Sequence, residues 1–216
     1  MRKPCKKGPA DPRVHGRQLG SIFDSVGRKP TKRVVDVIKR VRLKNGRELI
    51  IRKAEPNDAL DILAYIHQVS GESDYLTFGP GEFGLSQEEE AKFIETVAAS
   101  DNRLMICAFL DGRIVGQLTL IGGLRPRVRH AAALGVSVLK EYWRLGIASA
   151  LIESSLDWAR ASKVIRKVNL RVRSDHGGAI RLYQGLGFAQ EGIVTREFFL
   201  NGNFYDSIQM GLKIDE

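Results

Sequence analysis

Cysteine is scarce in this chain: only Cys5 and Cys107 occur in 216 residues, one in a polar tail and one inside the apolar run Leu104–Leu110. That count excludes a disulfide-stapled secreted scaffold and points to a reducing, cytoplasmic setting. Long uncharged apolar runs are missing, so no membrane-spanning helix and no membrane partner are expected. The basic N-terminus is not followed by the apolar core of a secretory signal. The four histidines (His15, His67, His130 and His176) are scattered and lack an i, i+4 partner, so no metal site is expected. No internal repeat is present, which excludes a solenoid.

Charge is abundant but unevenly placed. Residues 1–47 hold 15 Lys or Arg against three Asp, whereas residues 48–216 hold 19 basic against 22 acidic side chains. The whole net charge of +9 therefore belongs to the N-terminal segment. Residues 1–30 combine Gly, Pro, Lys and Arg with little apolar periodicity and are expected to be a basic flexible leader. Residues 31–216 are expected to form a single domain, a length that buries a proper core. The basic segment 1–47 could meet a polyanion such as RNA or the ribosome, or be a solvated tail; it lacks the interleaved aromatics of a nucleic-acid binder.

The periodicity switches along the chain. Val37–Leu43 and Glu48–Arg52 flank Lys44-Asn45-Gly46, a hairpin signal. A helix is predicted over Asp58–Gln68, with Leu60, Ile62, Leu63 and Ile66 at spacings of three and four. Gly71–Gly84 then reads as a long loop, and long loops beside a core often line a cleft. Its Asp74, Tyr75 and Phe78 are candidate substrate contacts, as is Phe83, or ordinary packed loop residues. Ser86-Gln87-Glu88-Glu89 is a capping box opening a helix to about Ala99, whose inner face carries Ala91, Phe93, Ile94 and Val97.

Beyond this helix the period becomes two. Asn102–Leu110, a turn at Asp111-Gly112, and Arg113–Ile121 predict an antiparallel hairpin, and Arg129–Leu139 predicts the next strand. Helical spacing returns over Gly146–Arg160, followed by the alternating Val168, Leu170 and Val172. A strand, a helix and a strand in that order imply a right-handed crossover and one parallel pair. A short helix carrying Ala179, Leu182, Tyr183 and Leu186 ends at Gly187. The strands Thr195–Leu200 and Phe204–Leu212, joined by Asn201-Gly202-Asn203, close the chain. The expected architecture is an α/β (α+β) mixed sheet, mostly antiparallel with a central parallel pair, and helices on both faces.

The richest stretch is Leu134–Ile152, where an apolar strand feeds a helix through Trp143-Arg144-Leu145-Gly146-Ile147-Ala148. Such a junction leaves several N–H groups unpaired at the positive end of the helix dipole, with Arg144 beside them, a fit for phosphate. An ordinary strand-to-helix connection has the same outline.

Together with Gly135-Val136-Ser137-Val138 and Ala179-Ile180-Arg181-Leu182-Tyr183-Gln184-Gly185-Leu186-Gly187-Phe188, this stretch resembles the GNAT superfamily of N-acetyltransferases, over about Leu49–Ile214. The late-hairpin residues Asn201–Tyr205, with Gly202 among them and Asp206 nearby, look like those of relatives that acetylate ribosomal proteins or small amines, without choosing between the two. The resemblance implies that acetyl-CoA is the acetyl donor. It also implies that Val136, Ser137 and Val138 pair with the pantetheine arm, and that Trp143, Arg144, Leu145, Gly146, Ile147, Ala148 and Ser149 surround the pyrophosphate. Trp143 stands where the family usually has Gln or Arg. His176 and Ala179 fall where relatives touch the cofactor arm, His176 replacing an Asn. Tyr183 falls on the tyrosine that protonates the departing thiolate, and a backbone N–H near Val138 on the oxyanion donor.

Many relatives carry a Glu on the strand before the turn, where this chain has Ala133. His130 is then the expected base, since its ordinary pKa suits proton removal near neutral pH, with Glu141 or a water chain as alternatives. The implied reaction is direct attack of a primary amine, from a peptide N-terminus or a small molecule, on the thioester in a ternary complex. Polyamines would want an acidic cleft, which Glu72, Asp74 and Glu82 could supply. A non-catalytic acyl-CoA-binding or ribosome-associated module is the alternative class, and a homodimer is left open.

Overall fold

Residues 36–215 are described by the computed structural model; the expected leader and the basic residues up to 35 lie outside the described residues. The elements run β1 (Val37–Arg42), β2 (Glu48–Lys53), α1 (Ala59–Glu72), α2 (Gln87–Ala98), β3 (Arg103–Leu110), β4 (Arg113–Gly122), β5 (Ala131–Val138), α3 (Ile147–Ser162), β6 (Lys167–Arg173), α4 (Gly177–Gly185), β7 (Ala189–Leu200) and β8 (Asn203–Lys213). They build one eight-stranded sheet in the order β1-β2-β3-β4-β5-β6-β8-β7. Every pair is antiparallel except β5–β6, the predicted crossover pair.

Alternation along the central strands sorts apolar side chains into two layers. Leu104, Ile106, Leu118 and Leu120 face Ile147, Leu151, Ile152 and Leu156 of α3 and Tyr183 of α4. Met105, Cys107 and Phe109 face Ile62, Ile66 and Val69 of α1 and Ile94 and Val97 of α2. Each such side chain removed from water contributes about 1.5–3 kcal/mol before entropy is counted. Helices therefore cover both faces, as expected.

Several boundaries move for local physical reasons. Helix α1 runs one turn past its predicted end, through Gly71, because Val69 and Ser70 are buried and Gln68 Nε2 donates to Glu72 Oε1 at 2.7 Å. The loop expected from Gly71 thus starts at Ser73. The capping box is present as predicted: Glu89 N donates to Ser86 Oγ at 3.2 Å and Ser86 N to Glu89 Oε2 at 2.8 Å. Strand β7 begins at Ala189, six residues before its predicted start, with pairing irregularities at Gln190/Gly192 and Val194/Phe198 that hide its alternation.

Candidate active site

Strands β5 and β6 pair for only three residues, Ala131–Ala133 with Lys167–Asn169, and then part. From Leu134 onward that edge of β5 has no strand partner among the described residues, while its other edge stays paired with β4 as far as Val138. The divergence opens a cleft of about 1550 Å³ lined by both strands, the N-terminal turns of α3 and α4, and the loop between α1 and α2. Backbone donors and acceptors of an open strand edge are ready to pair with an extended ligand.

Helix α3 begins at one end of this cleft. Arg144 (φ +63°) and Gly146 (φ +90°) are both left-handed, and such residues in a turn roll consecutive N–H groups to one side, making an anion nest. The first intrahelical bond is Ala150 N to Gly146 O at 3.0 Å. The N–H groups of Ile147, Ala148 and Ser149 precede it, and no side chain caps them. Gly146 cannot supply a capping oxygen, which leaves the helix end free for an anion. Close approach of α3 to the sheet also needs Gly116: a Cβ there would meet Leu151 Cδ1 at 3.1 Å and Ile147 Cγ2 at 3.2 Å. Trp143 fixes the turn from outside, its indole Nε1 donating to the Val138 carbonyl at 2.7 Å. Three cations on the cleft wall, Lys44, Arg144 and Arg181, have no ion-pair partner among the described residues. The donor set suits a phosphorylated ligand.

At the middle of the cleft, Tyr183 of α4 is 8% exposed and packs edge-on against Phe188, ring centroids 5.9 Å apart. Burial pushes its phenol up to about 12, so the proton stays on oxygen at neutral pH. The hydroxyl has no hydrogen-bond partner among the described residues. An uncharged O–H opening on a cleft without a structural partner is available as a proton donor.

The α1–α2 loop is tied down by a layered stack. Arg173, buried at the end of β6, lies with Cζ 4.1 Å from the Tyr205 ring and 4.6 Å from the Tyr75 ring. Tyr75 in turn stacks on His176, centroids 3.9 Å apart. Arg173 grips Asp175 through two hydrogen bonds of 2.8 and 2.6 Å and donates to the Asp74 carbonyl at 2.9 Å. These bonds hold the Asp175 carboxyl below the usual range. Burial lowers the His176 imidazole, with Asp175 opposing, so it is neutral near pH 7.

The structure brings together most residues expected from sequence. Val136, Ser137, Val138, Trp143, Arg144, Gly146, Ile147, Ala148, Ser149, His176, Ala179, Tyr183, Tyr75 and Phe78 all line the cleft. The Leu145 side chain instead packs on the α3-side core. Asp74 is not on the cleft wall and offers Arg173 its backbone oxygen. His130 is not brought to the cleft: it is exposed just before β5, its carbonyl accepting from Arg166 and Lys167 at the far end of the sheet. Four residues, Ala131 to Leu134, lie between it and Gly135 along the extended strand, and it is not on the cleft wall. Glu141 is not on the cleft wall either and is paired with Arg113 at 3.2 Å. The loop acids do not make an acidic cleft either, since Glu72 accepts from Lys140 N and Glu82 from Gly79 N.

One residue went unseen in the sequence. Glu90 of α2 is 1% exposed, forms part of the cleft wall, and neither carboxylate oxygen has a hydrogen-bond partner. It shares a helix face with Ile94 and Val97 at spacings of four and seven, and a charge on the apolar face was the available signal.

The site and fold agree with known proteins. Residues 71–188 match the acetyltransferase (GNAT) family, more than half of the chain, and the protein belongs to that family. An acetyltransferase of the GNAT family from Streptococcus pneumoniae is 37% identical, with a TM-score of 0.75 over 77% of this chain and 99% of that one. The L-amino acid N-acetyltransferase of Escherichia coli K12 is 26% identical over 163 residues, 76% of this chain and 96% of its own length. A Salmonella typhimurium protein solved with its cofactor acetyl-CoA is 17% identical, with a TM-score of 0.69 over 78% of this chain and 95% of that one, a likeness of fold. The chain is an N-acetyltransferase of the acetyl-CoA-dependent GNAT family. No helix among the described residues is long and apolar enough to cross a membrane.

Proposed function

We infer that this protein moves an acetyl group from acetyl-CoA to a primary amine by direct attack within a ternary complex. The observation that carries the reading is the conjunction of the open β5 edge with the uncapped, left-handed turn into α3. When bound, acetyl-CoA supplies an activated acetyl thioester. Residues Arg144 to Ser149 hold its diphosphate through backbone N–H groups, Lys44, Arg144 and Arg181 add positive charge, and the β5 edge at Val136–Val138 aligns the pantetheine arm.

The same frame performs the chemistry. A β5 backbone N–H near Val138 meets the developing oxyanion, where preorganised dipoles in a partly dry cleft count most. The C–N bond forms as the C–S bond breaks, and Tyr183 gives its proton to the departing sulfur and recovers one from the nitrogen as the amide forms. The amine enters from the side walled by Tyr75 and Phe78, opposite the donor, so the cleft places nucleophile and thioester in one volume. His176 and Ala179 flank the donor arm from α4. The likeness to an L-amino acid N-acetyltransferase supports a small amine or a peptide N-terminus as acceptor. Calorimetry with acetyl-CoA, followed by thiol release across an amine panel, tests the reading. Micromolar binding together with amine-dependent release is expected. Binding without turnover by any amine would make the protein a CoA-binding module, and absence of binding would refute the donor site.

A further inference from the structure

Among the described residues two carboxylates line the cleft, Asp175 and Glu90, and only the first is paired. Arg171 pairs with Glu197 and with Gln209, and Arg173 with Asp175. Glu90 has no partner: both oxygens are shielded from water and unbonded. The cleft wall to which it belongs also carries the apolar Phe78, Phe83, Phe93 and Met105 and the neutral Gln117 and Thr119 of β4. A dry carboxylate without a partner is costly, and natural folds seldom keep one unless a ligand completes it.

We propose that Glu90 receives the ammonium group of the acceptor, and that the acceptor class is a primary amine with one cationic centre beside an apolar body. The inference deepens the acetyltransferase reading and rests on it. One unpaired carboxylate balances one ammonium and takes the proton that the nitrogen sheds before it attacks as the free amine, and the aromatic wall accommodates the apolar remainder. A polyamine would bring second and third cations to a wall that has no further free anion. The Glu90 carboxyl is raised above its ordinary value by burial alone, consistent with a group that lacks its counter-ion. Glu90 is thus a specificity-determining residue, contributed by α2 and distinct from the donor-binding turn.

The test compares the parent with Glu90→Gln and Glu90→Asp, using L-phenylalaninamide, L-phenylalanine and spermidine as acceptors and calorimetry for acetyl-CoA. The parent is expected to turn over at least one phenylalanine compound with kcat/KM at least 10-fold above that for spermidine. In Glu90→Gln the amine KM rises 10-fold or more, acetyl-CoA affinity stays within twofold, and the urea midpoint is equal or higher. Glu90→Asp recovers part of the loss, which a merely structural side chain would not show. An unchanged amine KM in Glu90→Gln overturns the proposal, as does a preference for spermidine or the absence of turnover with all three amines while acetyl-CoA binds. Failure of acetyl-CoA to bind any of the three proteins is a different result, and it overturns the donor reading together with this inference.

Discussion

Replacing Tyr183 by Phe separates chemistry from stability more cleanly than any other change in this molecule. The hydroxyl has no hydrogen-bond partner among the described residues, so its loss orphans nothing, and the ring keeps its edge contact with Phe188. Folding stability should therefore change by less than about 0.5 kcal/mol, the range of substitutions that break no network. A positioned general acid contributes typically about 100- to 10,000-fold. A thiolate leaves more easily than an alkoxide, with an ordinary thiol pKa of about 8.5, so the lower part of that range applies. The expected loss in turnover is about 10- to 1000-fold, or roughly 1.4–4 kcal/mol of barrier.

The assay is continuous thiol release at saturating acetyl-CoA and amine, with calorimetry for the donor and a urea titration for the fold. Turnover equal to the parent at saturation refutes the assignment. The pH dependence adds an independent check. With the folded phenol at about 12 and the unfolded one near 10, both are protonated below pH 10, and activity should show no fall from Tyr183 deprotonation there. Above pH 10 the unfolded chain loses its proton first, so stability drains away as pH climbs toward 12. Tyr183→Phe should blunt that alkaline loss but not abolish it, because buried Tyr65, hydrogen-bonded to Ser137 Oγ at 2.8 Å, is raised in the same direction.

Gly146→Val places a β-branched residue at φ +90°, a backbone strain of about 1–3 kcal/mol; relief by rotating the turn withdraws the N–H groups, so calorimetry should show at least a tenfold loss of acetyl-CoA affinity, and an unchanged affinity would count against the nest. Leu151→Ala empties a fully buried position under β4 and should cost about 2–5 kcal/mol in a urea titration. Removing residues 1–30 should leave acetyl-CoA affinity within twofold, since every cleft residue among the described residues lies beyond them, and should reduce any salt-sensitive binding to RNA; equal RNA binding after the deletion excludes the tether.

What could be read from the chain was whatever sits within a few residues of its own cause. The hairpin around Asn45-Gly46, the capping box at Ser86, the crossover helix after β5 and the glycine turn at Gly146 each carry their signal locally, as periodicity or as a residue type that one backbone geometry demands. Gathering Val136, Gly146, His176 and Tyr183 into one cleft followed from a motif resemblance that already encodes a three-dimensional arrangement. The end of α1 escaped because Gly71 looks like a breaker until Val69 and Ser70 are seen to be buried beneath the helix.

Only the tertiary structure decided which charges matter. His130 has the right chemistry for a base but lies before the start of β5, and a strand advances about 3.3 Å per residue, so five positions set it about 16 Å from Gly135 and off the cleft wall. Glu72 and Glu82 accept from backbone N–H groups, and Asp74 meets Arg173 through its carbonyl and not its carboxylate. Glu90, one of three consecutive glutamates, became conspicuous once α2 was packed on β3 and no cation arrived to meet it. Sequence determines which side chains are available and which way each short segment turns; whether a carboxylate is solvated, paired or left bare depends on what distant parts of the chain bring against it.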